Sequence, residues 1–229
     1  MNTLTKDLNQ IRAQITKAEA RYQRLPGSVH LLAVSKTRPI EDIETALAAG
    51  QTDFGESYLQ DALPKIAALQ DKAICWHFIG PLQSNKTRAI AENFSWVHSV
   101  DRLKLAQRLS EQRPEHLPPL NLCLQINISQ DPAKAGITVE EALPLARAIY
   151  VLPHIKLRGL MALPSQASDF EQQRIPFHAM QSLFKSIQQA GIELDTLSMG
   201  MSGDMEAAIA EGATIVRIGT AIFGSRRNK

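Results

Sequence analysis

The feature that most constrains the fold of this chain is an alternation, repeated eight times, of short apolar runs with segments of helical periodicity. A short apolar run bounded by glycine, proline or polar residues is typical of a buried strand, whereas apolar residues spaced three and four apart indicate a helix. We predict strands at 29–35, 52–55, 74–79, 95–98, 120–128, 155–161, 194–199 and 214–218. Between them we predict helices at 39–49, 56–69, 85–93, 101–112, 139–150, 168–190 and 204–210.

This alternation predicts an α/β fold with a parallel sheet, because parallel strands need crossover connections and those are usually helices. Eight such units within about 200 residues favour closure into a single (β/α)₈ TIM-type barrel. An open, doubly wound sheet is the alternative, since periodicity does not distinguish it from a barrel. We expect residues 1–229 to form one domain, with the barrel at 28–225.

An additional helix is predicted before the first strand, within residues 1–26. Its apolar residues recur at alternating steps of four and three, which places them on one stripe: Leu4, Leu8, Ile11, Ile15, Ala18, Tyr22 and Leu25. Pro26 and Gly27 are expected to end it. Such a stripe can form a coiled coil with a partner, but we favour packing on the barrel of the same chain.

Composition and charge exclude several functional classes. The 229 residues carry a net charge of +2, which provides no electrostatic footprint for nucleic acid or for an anionic membrane. The N-terminal residues lack the apolar core of a signal peptide, and no apolar run approaches the roughly 20 residues of a membrane helix. Cys75 and Cys123 lie in apolar runs, as buried thiols do. We therefore expect a cytoplasmic protein.

Lys36 follows the apolar run of the first predicted strand directly. In a (β/α)₈ barrel the functional groups gather at the carboxyl ends of the strands, so its amine is expected at the barrel mouth. Partial removal from water lowers the pKa of an amine, and the neutral amine can form a Schiff base with an aldehyde. A lysine here can equally extend to water, so its position alone does not distinguish a Schiff-base lysine from an ordinary surface lysine.

Two turns rich in Gly, Ser and Thr follow the seventh and eighth predicted strands. Gly200, Ser202 and Gly203 precede a predicted helix, and Gly219 and Thr220 end the last strand. Glycine lets the backbone approach a ligand closely, and the N–H groups at a helix start bind anions. The loops after strands seven and eight are where such barrels commonly hold phosphate, although an ordinary helix cap has the same composition.

Arg217 lies two residues before Gly219 and therefore on the same side of the strand. An arginine that points into an apolar barrel needs an anion or an acceptor, and the alternative to a ligand is a barrel carboxylate such as Glu56. A lysine, a phosphate cradle and an arginine between them suit an aldehyde cofactor that carries a phosphate. Arginine can also contact the ring nitrogen of pyridoxal 5′-phosphate (PLP).

Eight stretches, in order along nearly the whole chain, resemble the pyridoxal phosphate homeostasis protein family, which is related to the N-terminal barrel of alanine racemase. They are 33–37 (AVSKT), 54–57 (FGES), 76–86 (WHFIGPLQSNK), 97–101 (VHSVD), 125–129 (QINIS), 157–161 (LRGLM), 197–202 (LSMGMS) and 217–224 (RIGTAIFG). The stretches at 76–86 and 217–224 are highly specific.

The resemblance implies a (β/α)₈ barrel with PLP held as a Schiff base on Lys36. It also implies phosphate contacts from Ser202, Gly219 and Thr220, and a position for Arg217 near the pyridine nitrogen. An arginine, unlike a carboxylate, would leave that nitrogen unprotonated and make the ring a poorer electron sink.

Met201, Ser57 and His77 complete the cofactor-binding residues that we expect. The family usually has asparagine at the position of Ser57, and the shorter side chain leaves that contact open. We assign no catalytic residue and no metal ligand. His77 and His98 are interpreted as polar residues of the barrel, because no CxxC, HxxxH or carboxylate-histidine spacing accompanies them.

Three functions remain at this point. A non-catalytic PLP carrier would act in intracellular PLP homeostasis and supply, with PLP-dependent apo-enzymes or regulatory proteins as partners. A PLP-dependent amino-acid racemase would need an acid or base on each face of its substrate, and Tyr22, Tyr58 and Tyr150 lie in no matching motif. The racemase draws that tyrosine from a second domain, and this chain ends just past strand eight, so we favour the carrier, as a monomer. A phosphate-binding barrel without PLP is the third.

Overall fold

The computed structural model describes residues 2–224, which form a closed barrel of eight parallel strands. The strands follow one another around the barrel in chain order, and β8 pairs with β1. They are β1 His30–Val34, β2 Asp53–Glu56, β3 Cys75–Phe78, β4 Trp96–Val100, β5 Leu120–Ile126, β6 Ile155–Ala162, β7 Thr196–Ser198 and β8 Ile215–Ile218. The predicted (β/α)₈ barrel is confirmed, and the alternative of an open sheet is wrong.

Helices connect the strands on the outside of the barrel. They are α1 Thr3–Arg21, α2 Ile40–Ala48, α3 Leu59–Ala68, α4 Thr87–Asn93, α5 Leu103–Gln112, α6 Val139–Tyr150, α7 Phe170–Gln189, α8 Met205–Ala210 and α9 Thr220–Phe223. The sequence did not predict α9, because a helix of four residues is too short to show a period. Residue 225, the predicted end of the barrel, lies outside the described residues, and the predicted domain boundaries stay a prediction.

Across residues 2–224, no helix combines the length and the apolar character that crossing a bilayer requires. Cys75 and Cys123 are both free thiols in the structure, and Cys123 is buried.

The first helix packs on the barrel side through the stripe that the sequence predicted. Leu8, Ile11 and Ile15 are buried, and α1 contacts α8 and α9. The helix nevertheless ends at Arg21, and Leu25 is 79% exposed, so the predicted continuation to Leu25 is wrong.

The earlier end of α1 has a local cause in the backbone. Gln23 adopts a φ of 54°, and the Arg24 amide donates to the Glu19 carbonyl at 2.8 Å. A left-handed residue followed by such a bond closes a helix in the Schellman manner. The buried Glu19 carboxylate also accepts from the Val29 amide at 2.8 Å, which ties the end of α1 to the start of β1.

Strand β5 is also shorter than predicted, because an asparagine turns the chain directly after it. The Asn127 side chain donates to the Asp131 carbonyl at 2.8 Å and accepts from the Asp131 amide at 3.2 Å. Side chains of this type compete with strand pairing by bonding nearby backbone groups. The strand therefore ends at Ile126 rather than at residue 128.

The core extends over both faces of the strands, as expected for a parallel sheet covered by helices. Leu122, Cys123 and Leu124 are consecutive and all fully buried. Against this apolar background a few polar residues are also buried, among them His77, His98, Ser198 and Arg217. Their placement inside the barrel brings the functional residues together.

One glycine is required for the close approach of β6 to β7. Gly159 pairs with Thr196, and a Cβ atom at this glycine would overlap the Thr196 carbonyl oxygen. Because that oxygen belongs to a neighbouring strand, the overlap can be relieved only if the two strands separate.

We expect Gly159→Ala to lower the free energy of unfolding by about 3 kcal/mol or more, since a buried strand pair must be displaced. Gly203→Ala is the matched control, because a Cβ atom there would have nothing within 4 Å, and we expect it to stay within about 0.5 kcal/mol of the parent. Urea unfolding followed by circular dichroism measures both. Equal unfolding midpoints for the two variants would contradict the packing described for β6 and β7.

Candidate functional site

A cavity of about 520 Å³ opens at the carboxyl ends of the strands. Its volume lies within the range of small-molecule sites. Seven of the eight residues predicted to bind a cofactor line it together: Lys36, Ser57, Met201, Ser202, Arg217, Gly219 and Thr220. They come from the turns after β1, β2, β7 and β8 and from β8 itself, as expected for a (β/α)₈ barrel.

Lys36 lies in a tight turn directly after β1 and is partly buried. The Arg38 amide donates to the Ser35 carbonyl at 3.0 Å, and Thr37 between them has a φ of 63°. The turn aims the lysine into the cavity while its backbone remains attached to the end of the strand.

A buried ionic cluster holds the base of this turn. The Lys65 amine donates to the Ser35 carbonyl at 3.0 Å and to Glu56 Oε1 at 2.7 Å, and the Ser35 hydroxyl donates to the same oxygen at 2.7 Å. Glu56 is fully buried, and burial raises the pKa of its carboxyl despite the opposing effect of Lys65 and Ser35. Glu56 Oε2 has no hydrogen-bond partner, so the buried carboxylate depends on Lys65 to balance its charge.

The loop after β7 has a shape that only glycine allows. Gly200 adopts a φ of 96°, and a Cβ atom there would lie 2.6 Å from the Ala208 Cβ. The Met201 amide donates to Asp204 Oδ1 at 2.6 Å, which closes the loop before α8 begins. Burial raises the pKa of the Asp204 carboxyl, against the lowering effect of that amide and of Arg217.

The turn after β8 lies against the turn after β1. A Cβ atom on Gly219 would lie 3.3 Å from both the Cβ and the carbonyl oxygen of Val34, so a larger residue would fit only if Val34 shifted by a few tenths of an ångström. Arg38 crosses the same seam: it donates to the Gly224 carbonyl, and its guanidinium carbon lies 6.0 Å from the centre of the Phe223 ring.

Among the described residues that line the cavity, most of the charged side chains are cationic. Lys36, Arg38 and Arg217 line it together with one carboxylate, Asp204. A cavity with this balance attracts an anion, and a phosphate-bearing molecule fits both its charge and its volume.

Arg217 is buried inside the barrel and 5% exposed. Its Nη1 donates to Ser198 Oγ at 2.8 Å and its Nη2 to the Ala162 carbonyl at 2.9 Å. Burial lowers the pKa of the guanidinium to about 10, so it remains a cation at neutral pH. The alternative pairing with Glu56 is wrong, because Glu56 is bonded to Ser35 and Lys65.

The structure does not bring His77 into this cavity. His77 lines a second cavity, of about 350 Å³, together with Asp53, the first residue of β2. Its Nε2 lies 3.1 Å from Asp53 Oδ1 and its Nδ1 lies 2.9 Å from His98 Nε2. The prediction of a cofactor contact was wrong because the barrel interior has several layers. Ile79, two residues later, lines the first cavity.

The donor atoms of Asp53, Cys75 and His77 lie within 4.8 Å of one another, which is the composition of a metal site. Both nitrogens of His77 are already engaged in hydrogen bonds, and burial raises the pKa of the Cys75 thiol to about 12. A metal ligand must be a thiolate rather than a thiol. The expectation that this chain has no metal site stays a prediction.

Sequence reasoning missed five polar residues that line the first cavity: Thr37, Arg38, Gln166, Gln173 and Asp204. Arg38 carried a signal, since it lies two residues after Lys36 in the same strand-end turn. Gln173 carried none, because it lies in the first turns of α7, where a polar residue is ordinary.

We expect Lys65→Met to lower the free energy of unfolding by about 3–5 kcal/mol at neutral pH, because Glu56 is left as a buried carboxylate without a cation. A carboxyl whose pKa is higher in the folded than in the unfolded protein destabilises the fold at high pH but not below the unfolded pKa. The loss should therefore shrink as the pH falls toward about 4.3.

Denaturant titrations at pH 7 and near pH 4.5 measure this difference. Lys72→Met is the control, because Lys72 forms an exposed ion pair with Asp71, and we expect no measurable loss at either pH. An equal loss for Lys65→Met at both pH values would show that the methionine disturbs packing rather than charge.

Comparison with known proteins gives two findings at the level of sequence and family. The family model for the alanine racemase N-terminal domain matches residues 6–227. The pyridoxal phosphate homeostasis protein of Pseudomonas aeruginosa is 54% identical over 226 residues, which cover 99% of this chain and 97% of that protein.

Two solved structures are similar over nearly the whole chain. PipY of Synechococcus elongatus with PLP bound has a TM-score of 0.85 and 37% identity, over 96% of this chain and 100% of PipY. Alanine racemase of Corynebacterium glutamicum has a TM-score of 0.71 and 16% identity, over 96% of this chain and 60% of the racemase. The likeness to the racemase shows the common barrel alone.

Proposed function

Because this chain belongs to the pyridoxal phosphate homeostasis protein family, we propose that it binds PLP in the carboxyl-end cavity and acts in the homeostasis and supply of this cofactor. The observation that carries the proposal is the convergence of Lys36, Arg217 and the two glycine-containing turns on one cavity. PipY with PLP bound, 37% identical to this chain, supports the same ligand.

Each part of the cavity has a role in this proposal. PLP supplies an aldehyde that joins reversibly to a primary amine, and Lys36 is the lysine that lines the cavity. Ser202, Gly219 and Thr220 would bind the phosphate with hydroxyl and backbone N–H donors. Met201 and Ser57 would form walls, without the longer reach of an asparagine from position 57.

Arg217 would face the ring nitrogen. A guanidinium has donors but no acceptor, so it can bond this nitrogen only when the nitrogen is unprotonated and accepts. An unprotonated ring withdraws electrons poorly, which suits holding the cofactor more than carbanion chemistry. The cation at position 217 persists at neutral pH because burial lowers its pKa only to about 10.

We expect Lys36→Ala to abolish the absorption at about 400 nm that PLP shows when it is joined to a lysine amine. The spectrum of purified protein after incubation with PLP, with mass spectrometry after borohydride reduction, measures the link. Lys185→Ala is the control, because Lys185 is exposed on α7. A reduced adduct on another lysine, with Lys36→Ala still coloured, would refute the assignment of Lys36.

The proposal includes a non-catalytic role, with PLP-dependent apo-enzymes or regulatory proteins as recipients, in the cytoplasm and as a monomer. The tyrosines support it. Tyr22 donates to Glu206 at 3.0 Å on α8, Tyr58 is 51% exposed, and Tyr150 ends α6. All three lie within the described residues, and none is among the residues that line the cavity. This supports the proposal that the chain lacks the second base that a racemase needs.

We expect the PLP-loaded protein to interconvert L- and D-alanine no faster than Lys36→Ala does, since none of the three tyrosines lies at the cavity to act as the second acid or base. Chiral chromatography of the amino acid after prolonged incubation measures the conversion. Turnover well above the Lys36→Ala background would favour the alternative, a weak PLP-dependent racemase, over the carrier.

A further inference from the structure

The second cavity lies at the amino ends of the strands and is called the amino-end cavity below. A continuous line of hydrogen bonds crosses the barrel interior from this cavity to Arg217. Asp53 Oδ1 lies 3.1 Å from His77 Nε2, and His77 Nδ1 lies 2.9 Å from His98 Nε2. His98 Nδ1 lies 2.8 Å from Ser198 Oγ, which accepts from Arg217 Nη1 at 2.8 Å. The four residues from His77 to Arg217 are each at most 5% exposed.

The carboxylate at the Asp53 end of this line determines the direction of its hydrogen bonds. Arg217 is a donor only, and the Asp53 carboxylate is an acceptor only. Burial lowers the pKa of His77 and, well below its usual value, that of His98, so each imidazole is neutral and carries one N–H. Starting from Asp53, His77 must donate through Nε2 and accept through Nδ1.

The remaining bonds then follow in order. His98 must donate through Nε2 to His77 and accept at Nδ1, and the hydroxyl hydrogen of Ser198 is the donor available there. This leaves a lone pair of Ser198 Oγ free to accept from Arg217. The donation from Arg217 is compatible with this assignment, because the Ser198 oxygen has two lone pairs. Every donor along the line then meets an acceptor, and both histidines are Nε2–H tautomers.

We propose that Asp53, His77, His98 and Ser198 form a polarised hydrogen-bond chain that positions the Arg217 guanidinium for its contact with the ligand in the carboxyl-end cavity. The proposal rests on the proposed function for the identity of that ligand. His98 and Ser198 are positioning residues, because they act on the ligand through Arg217. The chain also links the amino-end cavity to the site, since Asp53 and His77 both line that cavity.

Breaking the chain far from the site has a distinct consequence. Replacing His77 with phenylalanine leaves the His98 Nε2–H without an acceptor. His98 then changes tautomer and donates through Nδ1 to Ser198. The Ser198 oxygen must now accept from both His98 and Arg217, while its own hydrogen has lost its acceptor. A residue outside the carboxyl-end cavity should therefore alter binding inside it.

The first test needs neither a variant nor a bound cofactor. Nitrogen-15 NMR of the ligand-free protein, with histidine labelled, distinguishes protonated from unprotonated ring nitrogens. We expect both His77 and His98 to show a protonated Nε2 and an unprotonated Nδ1. A cationic ring, or an Nδ1–H tautomer at His98, would overturn the polarised chain whether or not the protein binds PLP.

The second test measures PLP affinity by spectroscopic titration. We expect Ser198→Ala to raise the dissociation constant about tenfold, because a buried charged donor loses its acceptor, and His77→Phe to raise it about threefold. Ser110→Ala is the matched control, since it removes another buried hydroxyl, one on α5 that donates to the Pro153 carbonyl. We expect this control to leave PLP affinity unchanged.

The outcomes separate the two proposals. Failure of the unchanged protein to bind PLP would refute the proposed function. The NMR result would then still decide whether the polarised hydrogen-bond chain exists. Normal PLP affinity in both Ser198→Ala and His77→Phe would refute the positioning role. Should Ser198→Ala unfold, His77→Phe decides alone, because it retains the hydroxyl beside Arg217.

Discussion

The cost of burying a guanidinium inside an apolar barrel organises the interior of this protein. An ion taken out of water must recover several kcal/mol through hydrogen bonds, and Arg217 has no carboxylate partner among the bonds described for it. It donates instead to Ser198 and to the Ala162 carbonyl. The Ser198 hydroxyl is an effective acceptor because it donates its own hydrogen to His98. His98 in turn donates to His77, and His77 donates to the Asp53 carboxylate. The buried polar residues therefore depend on one another.

A second cluster of buried charged groups fixes the position of a strand end at the edge of the barrel. Glu56, Lys65 and Ser35 hold the end of β1, from which Lys36 projects. The two clusters keep the backbone next to Lys36 and the arginine guanidinium in place by contacts that involve no ligand. A site with groups held in this way loses little conformational freedom on binding, which favours affinity without a large rearrangement.

Much of the fold and the site followed from the sequence, and the failures share a physical reason. Periodicity and strand-end position were sufficient for the eight strands and for the placement of Lys36, Ser202 and Gly219 at the cavity, because these depend on local pattern and on the topology of the barrel. His77 was assigned to the wrong end, because alternation along a strand tells which face a side chain takes but not which layer of the barrel. The pairing of Arg217 with Ser198 and the end of α1 before Leu25 depend on contacts between distant residues and on one left-handed backbone position, neither of which a periodic pattern records.

The meeting of the turns after β1 and β8 has a consequence for how ligand and fold influence each other. Lys36 and Arg217 are far apart in the sequence and become neighbours only because β8 pairs with β1 and completes the barrel. Gly219 against Val34, and Arg38 against Gly224, lie along that same seam. A molecule bound between Lys36 and the turn at Gly219 therefore contacts both sides of the β1–β8 pairing that closes the barrel. It binds the closed barrel and not an opened one, so by mass action the free energy that keeps the barrel closed rises with the logarithm of the ligand concentration.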